Sequence, residues 1–313
     1  MSRSGPVRLG ESNHGIFYAP LYCCLQLGFF RDEGLDVAFS TAADGPDVAH
    51  QVLREEVDIG RAGPIRTLIM AERGHALVNV GEVNSRAGFY LLSRRPLPSA
   101  AAVGHDQPVA WREFRGATFI TWREPQIPWL CTEDVLRRAG IVPADLRVLR
   151  LAAGEMVEAF RRTPNSCITT FQPETEQLLA DGTAQGLVAM PGVVRPIPFS
   201  SFIVTRRFLE KGGETLERFL RGFQRGLTWV RSATPGDIAG AIAPFFPGVE
   251  RRWLEAAVAR YLADRTWPGD AVLRRPGFDD LQEIVLAGGV ISRRHRYEDH
   301  VDTQFATRAA GGT

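Results

Sequence analysis

The feature that most constrains the fold is an alternation of short strand-like and helix-like stretches that runs once, breaks, and starts again. Residues 7–10 read as a strand and residues 19–27 as a helix with apolar positions at helical spacing. Strand signals follow at 35–40, 57–60, 76–83 and 88–93, with helices at 46–54 and 65–73, the latter closed by Gly74. Strands interleaved with helices of about 8–12 residues indicate βαβ units and a mainly parallel sheet. Residues 94–108, rich in Pro, Ala and Ser, interrupt this pattern. It restarts with strands at 117–122, 146–151, 166–170 and 186–190, and helices at 127–138, 154–162 and 173–180. The second run is a separate βα lobe, and no sequence repeat links it to the first.

A strand at 202–205 opens the return. Helices follow at 215–231, 235–246, 250–263 and 278–287, with a polar tail helix at 297–305. The helix at 235 starts from Thr234-Pro-Gly-Asp237, an N-cap threonine before proline at the first helical position.

A length of 313 residues is too great for one small core and fits two lobes. Hydrophobic residues make up 44% and charged residues 23%, ordinary for a globular chain, and the net charge is +1. Nothing in that balance points to nucleic acid or an anionic membrane, and no run of about 20 apolar residues suggests membrane insertion. Lys211 is the only lysine, set in a polar stretch, so a Schiff-base mechanism has one poor candidate. Cys23, Cys24, Cys131 and Cys167 lack zinc-ligand spacing, and the adjacent pair does not suit a structural disulfide. Buried free thiols, no metal and no cofactor are expected. The N-terminus has no apolar leader segment, which leaves a cytoplasmic protein or a periplasmic one whose leader was removed.

Several phrases carry a family resemblance. Ala19-Pro-Leu-Tyr22 followed by Leu27-Gly-Phe-Phe-Arg-Asp-Glu-Gly-Leu-Asp-Val37 resembles the opening of the SsuA/THI5-like (NMT1) family, type 2 periplasmic binding proteins. Asp58-Ile-Gly-Arg-Ala-Gly-Pro64, Phe114-Arg-Gly116, Thr170-Phe-Gln-Pro-Glu174 and Tyr297-Glu-Asp-His-Val-Asp-Thr303 resemble later landmarks, in family order. The resemblance implies an α/β fold of two lobes, with mainly parallel sheets flanked by helices and a hinged cleft. Lobe 1 would comprise residues 1–92 and 200–313 and lobe 2 residues 93–199, with crossing strands near 85–90 and 200–204. It also implies a solute-binding protein that holds a small organic anion in the cleft and delivers it to the permease of an ABC-type importer.

In open α/β sheets, ligands bind beyond the carboxyl ends of the strands. That rule selects five segments. Ser12-Asn-His-Gly-Ile-Phe-Tyr18 offers Asn13, His14 and Phe17, with His14 either a ligand contact or a plain loop residue. Ala42-Ala-Asp-Gly45 offers Asp44, as contact or helix cap, before a helix that carries His50. Arg61-Ala-Gly-Pro64 offers Arg61 and Gly63; Arg61 could pair with a carboxylate or sulfonate, face solvent, or bridge lobes. Thr121-Trp-Arg-Glu-Pro-Gln126 offers Thr121, Trp122 and Arg123, where Trp122 either stacks on a ring or fills a core. Thr170-Phe-Gln-Pro-Glu174 adds Gln172 and Glu174. Two lobes each offering an arginine and an aromatic suggest a small anionic ligand, an aromatic acid, sulfonate or carboxylate.

The family also contains enzymes. The pyrimidine-synthase branch carries a lysine and a histidine where this chain has Ala62 and Arg66. The aromatic sulfinate desulfinase branch carries a cysteine after Ser-Asn, where this chain has His14. A set of His14, His50 and Arg61 would still allow proton-transfer chemistry, such as decarboxylation of an aromatic acid, so a leaderless cytoplasmic lyase is the alternative.

Overall fold

Ten strands form among the described residues: β1 (Val7–Glu11), β2 (Val37–Thr41), β3 (Ile59–Ala62), β4 (Leu77–Asn84), β5 (Tyr90–Ser93), β6 (Thr118–Trp122), β7 (Arg147–Leu151), β8 (Ser166–Thr170), β9 (Gly186–Ala189) and β10 (Ser200–Thr205). The structure is a computed structural model and describes residues 5–42, 45–97, 109–123, 127–142 and 146–311. Its contacts divide the chain into two units, Met1–Ser85 with Ile197–Thr313, and Arg86–Pro196.

The first unit holds a five-stranded sheet in the order β2-β1-β3-β10-β4. β1 runs parallel to β2 and β3, and β10 runs antiparallel to both β3 and β4. Every residue of β4 is buried, as a strand covered on both faces requires. β4 lies at an edge of the ladder, and that edge is met by a parallel bridge from Val301 to Asn79 and by a bond from Glu82 N–H to the Ala271 carbonyl. The second unit has the same strand pattern, β7-β6-β8-β5-β9, with β6 parallel to β7 and β8 and β5 antiparallel to β8 and β9. In each sheet the antiparallel strand directly follows a passage of the chain from one unit to the other. Tyr90–Leu92, which the sequence assigns to the first lobe, therefore belong to the second sheet: hydrophobic alternation reveals a strand but not its neighbours.

Helices complete both units, and two of them depart from expectation for visible reasons. The helix expected over 235–246 ends at Ile242, and a 3-10 turn, Ala243–Phe245, replaces its last turn at Pro244, which lacks an N–H for the ladder. The tail expected as one helix over 297–305 becomes a single turn, Tyr297–His300, and a second helix, Gln304–Gly311, because Val301 is drawn into the bridge with β4. The long helix Gly213–Ser232 buries Leu216, Phe219, Leu220, Phe223, Leu227 and Val230 along one face, matching the amphipathic spacing of its sequence. No helix among the described residues is long and apolar enough to cross a membrane.

Candidate functional site

Register creates the chemistry at the carboxyl end of the first sheet. Glu11, the last residue of β1, stands level with Thr41 of β2 and with Arg61 of β3. Residues paired this way project from the same face of a sheet, close enough to bond. The Thr41 hydroxyl donates to Glu11 Oε1 at 3.0 Å, and Arg61 Nη2 donates to Glu11 Oε2 at 3.2 Å. The helix Ala19–Leu27 brings Tyr22, whose hydroxyl donates to Oε2 at 2.8 Å, and His14 Nδ1 meets Oε1 at 2.6 Å. Glu11 is fully buried (0% exposed), and these four donors satisfy it. Burial by itself would raise the Glu11 carboxyl; the His14 bond, the Arg61 charge and the Tyr22 bond together hold it below the ordinary carboxylate value.

His14 is fixed from both sides. Its Nε2 lies 2.8 Å from the carbonyl oxygen of Phe245 in the 3-10 turn. A carbonyl only accepts, so Nε2 carries a hydrogen; an ionised Glu11 also only accepts, so Nδ1 carries one as well. Beside an ionised Glu11, His14 therefore fits these two partners as a double donor. The Glu11 bond pushes its pKa up, partial burial opposes this, and the Phe245 carbonyl adds to the rise. Aromatic rings frame the imidazole, with Tyr22 at 4.9 Å and Phe246 at 4.7 Å between centroids, while Tyr22 and Phe245 stack at 4.9 Å.

Arg61 is turned inward, its side chain only 1% exposed. Besides Glu11 it donates to the Asn13 carbonyl, and its guanidinium sits 3.5 Å from the centre of the Tyr18 ring. Its Nε is buried with no hydrogen-bond partner among the described residues. The solvent-facing option for Arg61 therefore gives way to a side chain buried within the first unit. Glu11 is the one carboxylate bonded to either cation among the described residues, so this cluster carries two positive charges against one negative.

Backbone donors complete the site. The N–H groups of Asn13 and His14, after β1, and of Gly63 and Ile65, after β3, have no hydrogen-bond partner among the described residues. The loop around the first pair is pinned by Ser12 N–H to the Arg61 carbonyl and Gly15 N–H to the Tyr22 hydroxyl, both 3.2 Å. Such amides at the carboxyl ends of adjacent parallel strands, near His14 and Arg61, are donors of the kind that an anion accepts from.

The other residues singled out in the sequence fall as follows. Asn13 is exposed and Gly63 half-buried, both beside the cluster. The Phe17 ring is buried among Tyr18, Phe199 and Tyr261, and its carbonyl receives Asn84 Nδ2 and Trp267 Nε1. It packs a core, whereas a planar ligand would need its face open. His50 is half-buried on the helix Gly45–Leu53 and bonds to none of Glu11, His14 or Arg61. Asp44 lies outside the described residues.

In the second unit, Thr121 near the end of β6 is buried with its hydroxyl unpartnered. The half-buried ring of Trp122 is 5.8 Å from Phe171, and the exposed Arg123 reaches Glu155 at 3.5 Å. Gln172 is buried and donates to Glu176 at 2.9 Å, while Glu174 is exposed at the start of the helix Glu174–Ala180. All four cysteines are buried; burial pushes the Cys23 and Cys167 thiols up to about 12 and raises Cys24 and Cys131 too, the reverse of what a thiolate nucleophile needs. No group of three or more metal-ligating side chains occurs among the described residues.

The chain can be set beside known proteins. The model of the family described as NMT1/THI5 like matches residues 16–235. YtlA of Bacillus subtilis (strain 168) is 23% identical over 306 residues, covering 96% of this chain and 89% of that protein. Among solved structures, a ligand-binding component of an ABC-type import system from Staphylococcus aureus superposes with a TM-score of 0.75 at 12% identity, covering 98% of this chain and 99% of the other. The alkanesulfonate-binding protein SsuA from Xanthomonas axonopodis pv. citri, bound to MOPS, gives a TM-score of 0.70 at 17% identity, covering 97% of this chain and all of the other. At these identities the likeness concerns the fold.

Proposed function

The chain belongs to the NMT1/THI5-like family, and on that premise we propose that it is a solute-binding protein which captures a small organic anion for an ABC-type importer. One observation carries the choice of ligand charge. Four backbone N–H groups at the ends of β1 and β3, without a hydrogen-bond partner among the described residues, are close in the chain to His14 and Arg61, whose joint charge with His14 protonated exceeds that of Glu11 by one. An anion removes that surplus and pairs the amides, whereas a cation would add to the surplus and leave them bare. Asn13 and Gly63, adjacent to the cluster, are further candidate contacts for the anion. The alkanesulfonate carried by the Xanthomonas relative is of this chemical kind.

The test is a calorimetric titration with methanesulfonate, benzenesulfonate, benzoate and nitrate, with benzylamine as the cationic control. Each mixture is then followed by mass spectrometry. Saturable one-to-one binding of at least one of these anions, with the ligand recovered intact, is the expected result. Consumption of the anion would move the protein to the lyase alternative. Binding of benzylamine alone would end the anion reading.

A further inference from the structure

We propose that Glu11 is a positioning residue that sets the charge of this site: its buried carboxylate holds His14 as a double donor and anchors Arg61, leaving one net positive charge matched to a monoanion. The inference rests on the solute-binding reading and adds a charge class and a pH dependence to it.

The argument begins with what surrounds His14. From β1 comes the Glu11 carboxylate at 2.6 Å; from the helix Ala19–Leu27, the Tyr22 hydroxyl at 3.3 Å; from the 3-10 turn, the Phe245 carbonyl at 2.8 Å. Arg61, on β3, is the other charge that acts on the ring, and it opposes protonation. Thr41, on β2, reaches the same Glu11 oxygen as His14. Without Glu11 the imidazole would keep a repelling guanidinium and lose the one anion that holds its proton. It would then be neutral at neutral pH.

The charge count follows. With Glu11 ionised, the native cluster carries one net positive charge until His14 loses its proton, after which it carries none. Glu11→Gln removes the negative charge and the reason for the raised pKa together. That variant carries two positive charges in acid and one at neutrality. The pH at which anion affinity drops is therefore lower in the variant than in the native protein. A role in packing alone predicts no such relocation.

Two measurements test this. The first is nitrogen NMR of the His14 ring, assigned by comparison with His14→Gln. In the native protein the ring is expected to titrate above the ordinary value of about 6.5, and in E11Q at or below it. The second is the affinity for methanesulfonate and for sulfate between acid and alkaline pH. The native protein is expected to favour methanesulfonate while His14 is protonated and to lose affinity for it about tenfold as pH rises through the raised His14 value. E11Q is expected to lose affinity on the acid side, to gain preference for sulfate there, and H14Q to show neither transition. Titration of native His14 at the ordinary value would overturn the proposal even if E11Q fails to fold. A binding profile unmoved in a folded E11Q would do the same. A raised His14 pKa with no anion bound would instead sink the solute reading and leave Glu11's hold on His14 standing.

Discussion

Glu11 can be ionised in a dry place only because four donors converge on it, and each donor depends on the others. Removing Arg61 as Arg61→Ala takes away a bond to Glu11, a bond to the Asn13 carbonyl and the face of Tyr18, and leaves a buried carboxylate short of its cation. Breaking a buried pair in this way costs about 3–5 kcal/mol, which denaturant unfolding of R61A would measure. The half-exposed His14 contributes less, about 1 kcal/mol once solvent screening is allowed for. Its pKa is raised in the folded protein, so its stabilisation is complete below about pH 6.5 and vanishes as pH climbs through the folded value. The stability gap between the native protein and His14→Gln is thus expected to be widest in mild acid and to close in alkaline buffer, as read from urea midpoints. Little of this was legible beforehand. The strand-end rule singles out Asn13, His14, Arg61 and Gly63, which lie around Glu11, but alternation along a five-residue strand gives no sign that its terminal glutamate faces inward. The partners Tyr22, Thr41 and Phe245 come from three other elements, and only the register assembles them. Glu11 lies one residue past the strand read at 7–10, which is why it is not singled out there.

Elements pack where side chains leave room, and the tightest place joins the helices Ala19–Leu27 and Gly213–Ser232. A Cβ added at Gly226 would stand 2.1 Å from Cys24 Sγ and 3.1 Å from the Pro20 carbonyl, so Gly226 is what allows this approach. Gly226→Ala is expected to cost about 1–3 kcal/mol through overpacking, and Cys24→Ala in the same protein to recover much of the loss. A double-mutant cycle in urea checks both. At the other side of the sheet, β4 depends on the tail for its cover. Deleting residues 297–311 removes Val301 from its bridge and the His300 carbonyl from Asn79 Nδ2. Faster amide exchange along β4 and a tendency to self-associate are the expected outcome, measured by hydrogen exchange and light scattering. Helix periodicity was the most readable signal at this scale: the helices Ala19–Leu27 and Ile127–Arg138 run over the residues it marks. The reading failed where a proline or a distant strand intervened, at Pro244 and at Val301.

Across the whole molecule, the two sheets share one strand order although no sequence repeat links them. The restart of the strand–helix alternation after residue 93 was visible in the sequence. The seating of β5 and β10 was not, because each lies antiparallel in a sheet whose other strands come from elsewhere in the chain. That arrangement has a consequence for how the protein is made. Residues 86–196 form an uninterrupted unit, whereas the first unit lacks the strand between β3 and β4 until residue 205 has been synthesised. On a ribosome, the inserted unit is complete while the surrounding one is still waiting for its fifth strand, so the part begun first is finished last. Expressed alone, residues 86–196 are expected to unfold cooperatively in urea, whereas residues 1–85, which lack β10 between β3 and β4, are expected not to.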